Sequence, residues 1–318
     1  MGKKSLCLQQ RIPLVIMRLK NLVIGLMVVF GCMGPVMAET AVAAPAPEVA
    51  ADIMTMARDA RCGQVLVTAL VNGVPLRMML DTGATHTVLH EESVSKLGEV
   101  QWVDTSRFAF KGNSTQMPRL LLAPLQTGPG VSPAHPMMVM NLGAVRSMME
   151  EKIDGILGMD FLGSLPFTFD FRKNAFYWGT PESGDFVPVM GEVERSGRVH
   201  WVTRCQGKEI KLLLDTGSSV TRICAEDWLP GAAGEIKAHI GDIDTTSAQQ
   251  FVEGKPGDLE VAPGVVLKGV TPILCGSGEF TILGVDALRD SVLVHVPAEA
   301  VPGGVFLMSP TTGASPEN

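Results

Sequence analysis

Apolar and polar positions begin to alternate at Gly63, and short alternating segments recur until Met308. Residues 64–71 are rich in Val and Thr, Asn72-Gly73 is a turn pair, and residues 75–80 return as an apolar run. That pattern predicts a hairpin whose second strand delivers Asp81 at its end. Residues 85–89 predict another short strand. Residues 107–110 and 115–121 flank Lys111-Gly112-Asn113-Ser114 as a second hairpin, and the Gly and Pro content of residues 128–136 predicts a loop. Residues 145–152 predict one or two helical turns, and a short helix follows through Leu162. Strands at 167–171 and 175–178 then flank the turn Arg172-Lys173-Asn174.

After a Gly-, Pro-, Glu- and Ser-bearing stretch at 180–197, the same order returns. Residues 199–205 and 209–214 form a hairpin around Gln206-Gly207. Residues 236–240 lead through Gly241-Asp242 to a polar strand ending near Val252, and strands follow at 270–275, 280–283 and 292–296. The register is specific. Leu80-Asp81-Thr82-Gly83-Ala84 and Leu214-Asp215-Thr216-Gly217-Ser218 lie 134 residues apart, and each is preceded at the same distance by its turn pair. Downstream, Ile156-Leu157-Gly158-Met159-Asp160 answers to Ile282-Leu283-Gly284-Val285-Asp286. One Asp-Thr-Gly is what any turn can hold. Two in one register, each with an apolar run before it and an Ile-Leu-Gly after it, predict a mainly β, two-fold internal repeat.

Outside the repeat the pattern changes. Arg18 and Lys20 precede an apolar run from Leu22 to Phe30, and Val36-Met37-Ala38 reads as a small-residue cleavage site. Residues 1–38 are therefore read as an export signal, whose apolar run is too short for a comfortable membrane span. Two processing routes stay open: cleavage after Ala38, or a lipobox at Val29-Phe30-Gly31-Cys32 that makes Cys32 a lipid anchor. Either way the expected location is exported, periplasmic or envelope-associated. Residues 39–60 are an Ala/Pro-rich linker, 61–182 the first lobe, 183–197 the connection, 198–308 the second lobe and 309–318 a disordered tail. Four cysteines follow the signal, Cys62, Cys205, Cys224 and Cys275. Their pairing stays open, since export permits disulfides while buried thiols also serve as small apolar groups. No Cys-x-x-Cys supports a metal knuckle.

Composition narrows the function. The chain of 318 residues carries a net charge of −7 without a basic cluster, which argues against a nucleic-acid partner. Aromatics are 5% and Met residues number 18, which predicts aliphatic cores. An aspartate at the end of an apolar strand needs hydrogen-bond donors, and the following Gly lets the backbone pass close enough to offer its N–H groups. Two such carboxyls at contact distance cannot both ionise and so share a proton. The ionised one then takes a proton from water while the protonated one polarises a carbonyl.

These motifs resemble those of aspartic proteases of the retropepsin type. The run Gly155-Ile156-Leu157-Gly158-Met159-Asp160-Phe161-Leu162 with Phe169-Asp170-Phe171 is most similar to the bacterial members. The resemblance covers roughly residues 63–180 and 197–308. It implies two all-β acid-protease lobes with short helices, related by a pseudo-two-fold, with the active site between them. A polypeptide substrate, no cofactor, no metal and a monomer with an internal pseudo-dimer follow from it. It also assigns Asp81 and Asp215 as the catalytic pair, Thr82 and Thr216 as a hydroxyl grip, and Gly83, Ala84, Gly217 and Ser218 as supporting loop. His86 and Val220, five places after each aspartate, become cleft positions, and Gly112 and Gly241 mark the flaps. Two departures stand out: neither flap stretch is glycine-rich, and the single Tyr, Tyr177, sits beside Trp178 rather than in a flap.

Other readings were weighed against this one. Each Asp-Thr-Gly as an inert turn is the bland alternative, and the repeat argues against it. A silent binding or scaffold module of the same fold is opposed by two intact aspartates. Pairing of each lobe with another chain costs more entropy than internal pairing. His86 and His90 share spacing for a metal but lack a third ligand. No Gly-x-Ser-x-Gly elbow is present, and two carboxyls for glycoside hydrolysis do not require the repeated motifs around them. Finally, Ser218 replaces Ala84. A hydroxyl donating there to Asp215 would hold Asp215 ionised and leave the proton on Asp81.

Overall fold

The computed structural model describes residues 54–55, 57–58, 63–103, 119–193, 198–240, 248–277, 281–298 and 301–309. The expected export signal at residues 1–38 with Cys32 and Ala38, Cys62, the expected flap positions Gly112 and Gly241, and residues 310–318 lie outside the described residues. No helix among the described residues is long and apolar enough to cross a membrane.

The opening hairpin forms as the turn chemistry requires. Asn72 and Gly73 have φ of 50° and 78°, and Gln206 and Gly207 have 49° and 85°. Two consecutive positive φ values make the two-residue turn whose twist matches paired strands. Strand Val65–Val71 then pairs with Val74–Leu80, and Val199–Cys205 pairs with Lys208–Leu214. Along Val65–Val71 the buried Val67, Ala69 and Val71 alternate with exposed Thr68 and Leu70. One face therefore enters the core.

Each hairpin continues into a sheet with the same inner order. In the first half Val74–Leu80 pairs in parallel with Gly155–Leu157, which pairs antiparallel with Val88–His90, which pairs in parallel with Gly130–Met140. In the second half Lys208–Leu214, Ile282–Leu283, Arg222–Cys224 and Ile273–Cys275 repeat the same parallel, antiparallel, parallel sequence. The first sheet has eight strands and bends back on itself through pairing of Val65–Val71 with Arg119–Thr127. The second has ten.

A third sheet, of six strands, joins the halves. Phe167–Asp170 and Val292–Ala298, strands that correspond in the repeat, lie side by side in it, with Phe167 opposite His295. Aromatic residues gather here: Phe167, Phe169, Phe176, Trp178 and Phe306 pack together, and the His295 ring stacks on Phe167 at 4.6 Å. The cores of the two larger sheets are mainly aliphatic, with Trp201 and Trp228 buried in the second, and most of the other aromatics gather where the halves meet.

Several segments differ from expectation. Residues 128–136 are not a loop. Gly128 and Pro129 make a two-residue turn between Arg119–Thr127 and strand Gly130–Met140, which carries Pro133 and Pro136. A register shift between Ala123 and Leu125 lets the sheet accommodate them. Gly128 is required twice over, by its φ of 52° and because a Cβ would lie 1.9 Å from Trp178. The helix expected over 145–152 runs instead from Gly143–Met148. Within the expected linker 39–60, Met54–Thr55 and Ala57–Arg58 add short edge strands, and within 183–197 Val187–Pro188 and Gly191–Val193 do the same.

Candidate active site

Both strands that end in the repeated motif deliver their aspartates to one place. Asp81 is buried at 9% exposure, with Thr82 and Thr216 buried beside it. The two threonines lock the loops reciprocally. Thr82 Oγ1 donates to the Leu214 carbonyl at 2.9 Å and accepts from the Thr216 N–H at 3.1 Å. Thr216 Oγ1 donates to the Leu80 carbonyl at 2.9 Å and accepts from the Thr82 N–H at 3.1 Å. Each hydroxyl thus uses its donor and an acceptor pair across the boundary.

The glycines set the approach. A Cβ on Gly83 would lie 2.6 Å from Asp215 Cγ, and one on Gly217 would lie 2.5 Å from Asp81 Cγ. Each carboxyl therefore rests against the opposite loop's backbone, which only glycine allows. Asp81 Oδ1 accepts from the N–H groups of Gly83 at 2.8 Å and Ala84 at 2.9 Å, and Asp215 Oδ1 accepts from Gly217 at 2.9 Å. The two carboxyls hydrogen-bond to each other.

Burial pushes the Asp215 carboxyl well above the ordinary carboxylate range, and the neighbouring Asp81 charge pushes it further. Burial also raises Asp81, but there the hydrogen bond from Asp215, the two N–H groups and the Arg198 charge pull the other way. Both carboxyls are thus held above the ordinary range, and the pair titrates as one unit that shares a proton. The donation from Ser218 to Asp215 expected from the sequence is not made: the Ser218 hydroxyl donates to the Val220 carbonyl at 2.8 Å instead.

The Ile-Leu-Gly repeats support the loops from below. Asp81 N–H donates to Leu157 and Asp215 N–H to Leu283, each at 3.1 Å. A Cβ on Gly158 would meet the His86 backbone at 2.5 Å, and one on Gly284 would meet the Val220 backbone at 2.5 Å. His86 and Val220 are thus pinned by their main chains. The exposed His86 ring shares a 2.9 Å hydrogen bond with Thr85 Oγ1. His90 is buried and accepts from the Leu142 N–H at 3.0 Å through Nδ1, so the two histidines do not converge on one ligand. Cys205, Cys224 and Cys275 are all buried.

Two further repeated features carry part of the site. Thr87 Oγ1 donates to Asp160 at 2.8 Å, and Thr221 Oγ1 donates to Asp286 at 2.7 Å. The same hydroxyls accept from Gly158 and Gly284 N–H groups. The signal for them was in the register, Thr six places after each aspartate and Asp two places after each Ile-Leu-Gly. The pairs are not equal. Burial raises Asp160 too, but His135, 3.3 Å from it, and Thr87 hold it below the usual range, whereas burial leaves Asp286 above it. Gln64 is the other residue the motifs did not reveal: its Nε2 donates to the Gly217 carbonyl at 3.0 Å from the opposite half.

Residues 67–161 match the family model described as aspartyl protease, a span that holds the Asp81 loop and the first Ile-Leu-Gly. Among solved structures, the crystal structure of a retropepsin-like aspartic protease from Rickettsia conorii is similar at 22% identity and a TM-score of 0.30, covering 40% of this chain and 90% of that chain. No curated protein matches the chain.

Proposed function

We propose that the chain is an aspartic endopeptidase of the retropepsin type, with two lobes related by a pseudo-two-fold supplying one aspartate each. The observation that carries the reading is the cross-locked pair of loops holding Asp81 and Asp215 in hydrogen-bond contact. Ionised Asp81 takes a proton from a water molecule as that water attacks the peptide carbonyl carbon. Protonated Asp215 donates to the carbonyl oxygen, giving a tetrahedral diol. The carbonyl then re-forms as one diol hydroxyl returns its proton to Asp215, the C–N bond breaks, and the proton held by Asp81 passes to the leaving amine. Substrates are polypeptides of the exported or envelope compartment, with His86 and Val220 lining opposite halves of the cleft. The export signal supports that compartment, and the internal pair of loops supports action as a monomer.

The test is incubation of the chain, with its first 38 residues removed, with a peptide library across acidic to neutral pH. Asp81→Asn and Asp215→Asn run beside it. A pair that shares one proton fails when either member becomes an amide, so each variant should lose at least ~1,000-fold in kcat/KM while circular dichroism stays unchanged. Near-normal turnover in either variant, or no cleavage by the parent chain at any pH, would sink the proposal.

A further inference from the structure

His135 is buried at 6% exposure on strand Gly130–Met140, and its Nε2 lies 3.3 Å from Asp160 Oδ2. Its ring meets that of Phe161 edge to face, with centroids 5.5 Å apart. The remaining acceptor sites of the Asp160 carboxylate are in use. Oδ1 accepts from the Thr87 hydroxyl at 2.8 Å and the Phe161 N–H at 2.9 Å, and Oδ2 accepts from the Thr87 N–H at 2.9 Å. A carboxylate offers only acceptors, so the nitrogen that faces it carries a hydrogen. Thr87 is itself fully buried, follows His86 directly, and receives the Gly158 N–H on its hydroxyl at 3.3 Å. Its carbonyl accepts from the Met138 N–H at 3.0 Å. The main chain on which His86 stands is therefore tied, through Asp160, to the strand that carries His135.

We propose that His135 is a positioning residue for the first half of the cleft: it completes the acceptor set of Asp160 and so holds Thr87, and with it His86, by a brace that the second half replaces with the aliphatic Val270. This deepens the proposed peptidase reading and rests on it for its meaning in substrate selection.

The repeat isolates the difference. Thr221 stands to Asp215 as Thr87 stands to Asp81, and its hydroxyl donates to Asp286 at 2.7 Å and accepts from the Gly284 N–H at 3.1 Å. Strand partners match as well, with Val88 opposite Met138 and Arg222 opposite Ile273. Three places before those partners stand His135 in one half and the buried Val270 in the other. Strand Val265–Val270 packs against the short helix Val285–Leu288 that bears Asp286, so the position faces the same element in both halves. Burial raises both carboxyls, yet only Asp160 ends below the ordinary range, with His135 foremost among the groups that lower it. The ionised form matters because a proton on Asp160 would turn one acceptor oxygen into a hydroxyl and take a partner from Thr87. The cleft wall bearing His86 is the more firmly held of the two, and it should select side chains more narrowly than the wall bearing Val220.

The experiment is amide hydrogen exchange by NMR on the 15N-labelled full chain, with Thr221 as the internal reference for Thr87. His135→Leu removes the donor while nearly keeping the volume. It should speed exchange at Thr87 by ~10-fold, the scale of one hydrogen bond to a charged group, and leave Thr221 unmoved. His135→Gln returns an N–H donor and should restore most of the protection. On a peptide library, His135→Leu should raise KM by ~5-fold with a smaller change in kcat, and it should relax preference on one side of the scissile bond only. The imidazole 15N spectrum of the wild type should show a hydrogen on His135 Nε2. A bare Nε2 would overturn the proposal, as would wild-type exchange at Thr87 in folded His135→Leu. If His135→Leu does not fold, the wild-type imidazole spectrum decides alone. Exchange needs no turnover, so a chain that cleaves nothing but shows the expected exchange would sink the peptidase reading and uphold the brace. Cleavage with unmoved exchange would do the reverse.

Discussion

Ser218 shows how much one hydroxyl's direction matters. It differs from Ala84 at the position nearest the pair, yet its proton goes to the Val220 carbonyl two residues on. Removing it should therefore leave the carboxyls' ionisation alone. Ser218→Ala is expected to keep the acidic limb of the pH–rate profile within a few tenths of a unit of wild type, at a stability cost of about 1 kcal/mol for the lost hydrogen bond. A displaced limb would mean that the hydroxyl serves Asp215. His86 carries a second expectation at this scale. Its backbone is pinned beneath Gly158 while its ring stays exposed, so His86→Val should alter sequence preference on one side of the scissile bond without altering the fold. Identical cleavage profiles from a peptide library would remove His86 from the cleft.

Among the elements, the paired Ile-Leu-Gly strands have the most exacting fit. Neither Gly158 nor Gly284 has a positive φ, with values of −93° and −88°, so conformational freedom does not explain them. Space does. A methyl group at either site would press on main-chain atoms of His86 or Val220, in the segment just after the aspartate loop, which cannot turn away as a side chain could. Gly158→Ala and Gly284→Ala should each cost roughly 2 kcal/mol, the range of overpacking in a tight interior. They should also lower activity more than that loss of stability accounts for, because the displaced segment carries the loop. Denaturant melts and kcat/KM on the same preparations test this, and full activity in a folded variant would refute it. The opening hairpins at Val65–Leu80 and Val199–Leu214 were legible in advance because turn pairs and apolar runs act over a few residues. The strand at Gly130–Met140 was not. Its prolines suggested a loop, and only the register shift between Ala123 and Leu125 shows how the sheet takes them in.

On the scale of the molecule, two buried carboxyls in contact are a burden on the folded state. Asp215 has a folded pKa well above its ordinary value of 3.8. The folded chain therefore binds more protons than the unfolded chain between that value and the raised one, and stability falls as pH rises through this window. Below the window, both states are protonated and the penalty vanishes. Asp215→Asn removes the penalty, so it should melt higher than wild type at neutral pH, with a gap that closes as pH drops below the ordinary carboxylate range. Calorimetric scans at a series of pH values measure it. A variant equally or less stable at neutral pH would show that the pair is not strained by its charge. The expected trade, lower activity for higher stability, is the usual mark of a site arranged for chemistry rather than for folding.

What the sequence determined by itself was everything that depends on near neighbours and on the repeat. Turn pairs with positive φ, apolar runs of period two and two Asp-Thr-Gly loops in one register placed the hairpins, the aspartates and their threonine partners before any coordinates. Tertiary structure decided what depends on residues far apart in the chain. Phe167–Asp170 lies against Val292–Ala298, and Gln64 reaches Gly217 across 153 positions. The Ser218 hydroxyl bonds the Val220 carbonyl, an acceptor that the motif did not indicate and the packed loop supplies. The raised, shared ionisation of Asp81 and Asp215 likewise depends on the contact that the fold makes between two loops 134 residues apart. Hydrogen-bond choice and ionisation answer to distance in space, to which a pattern along the chain has access only where the chain repeats itself.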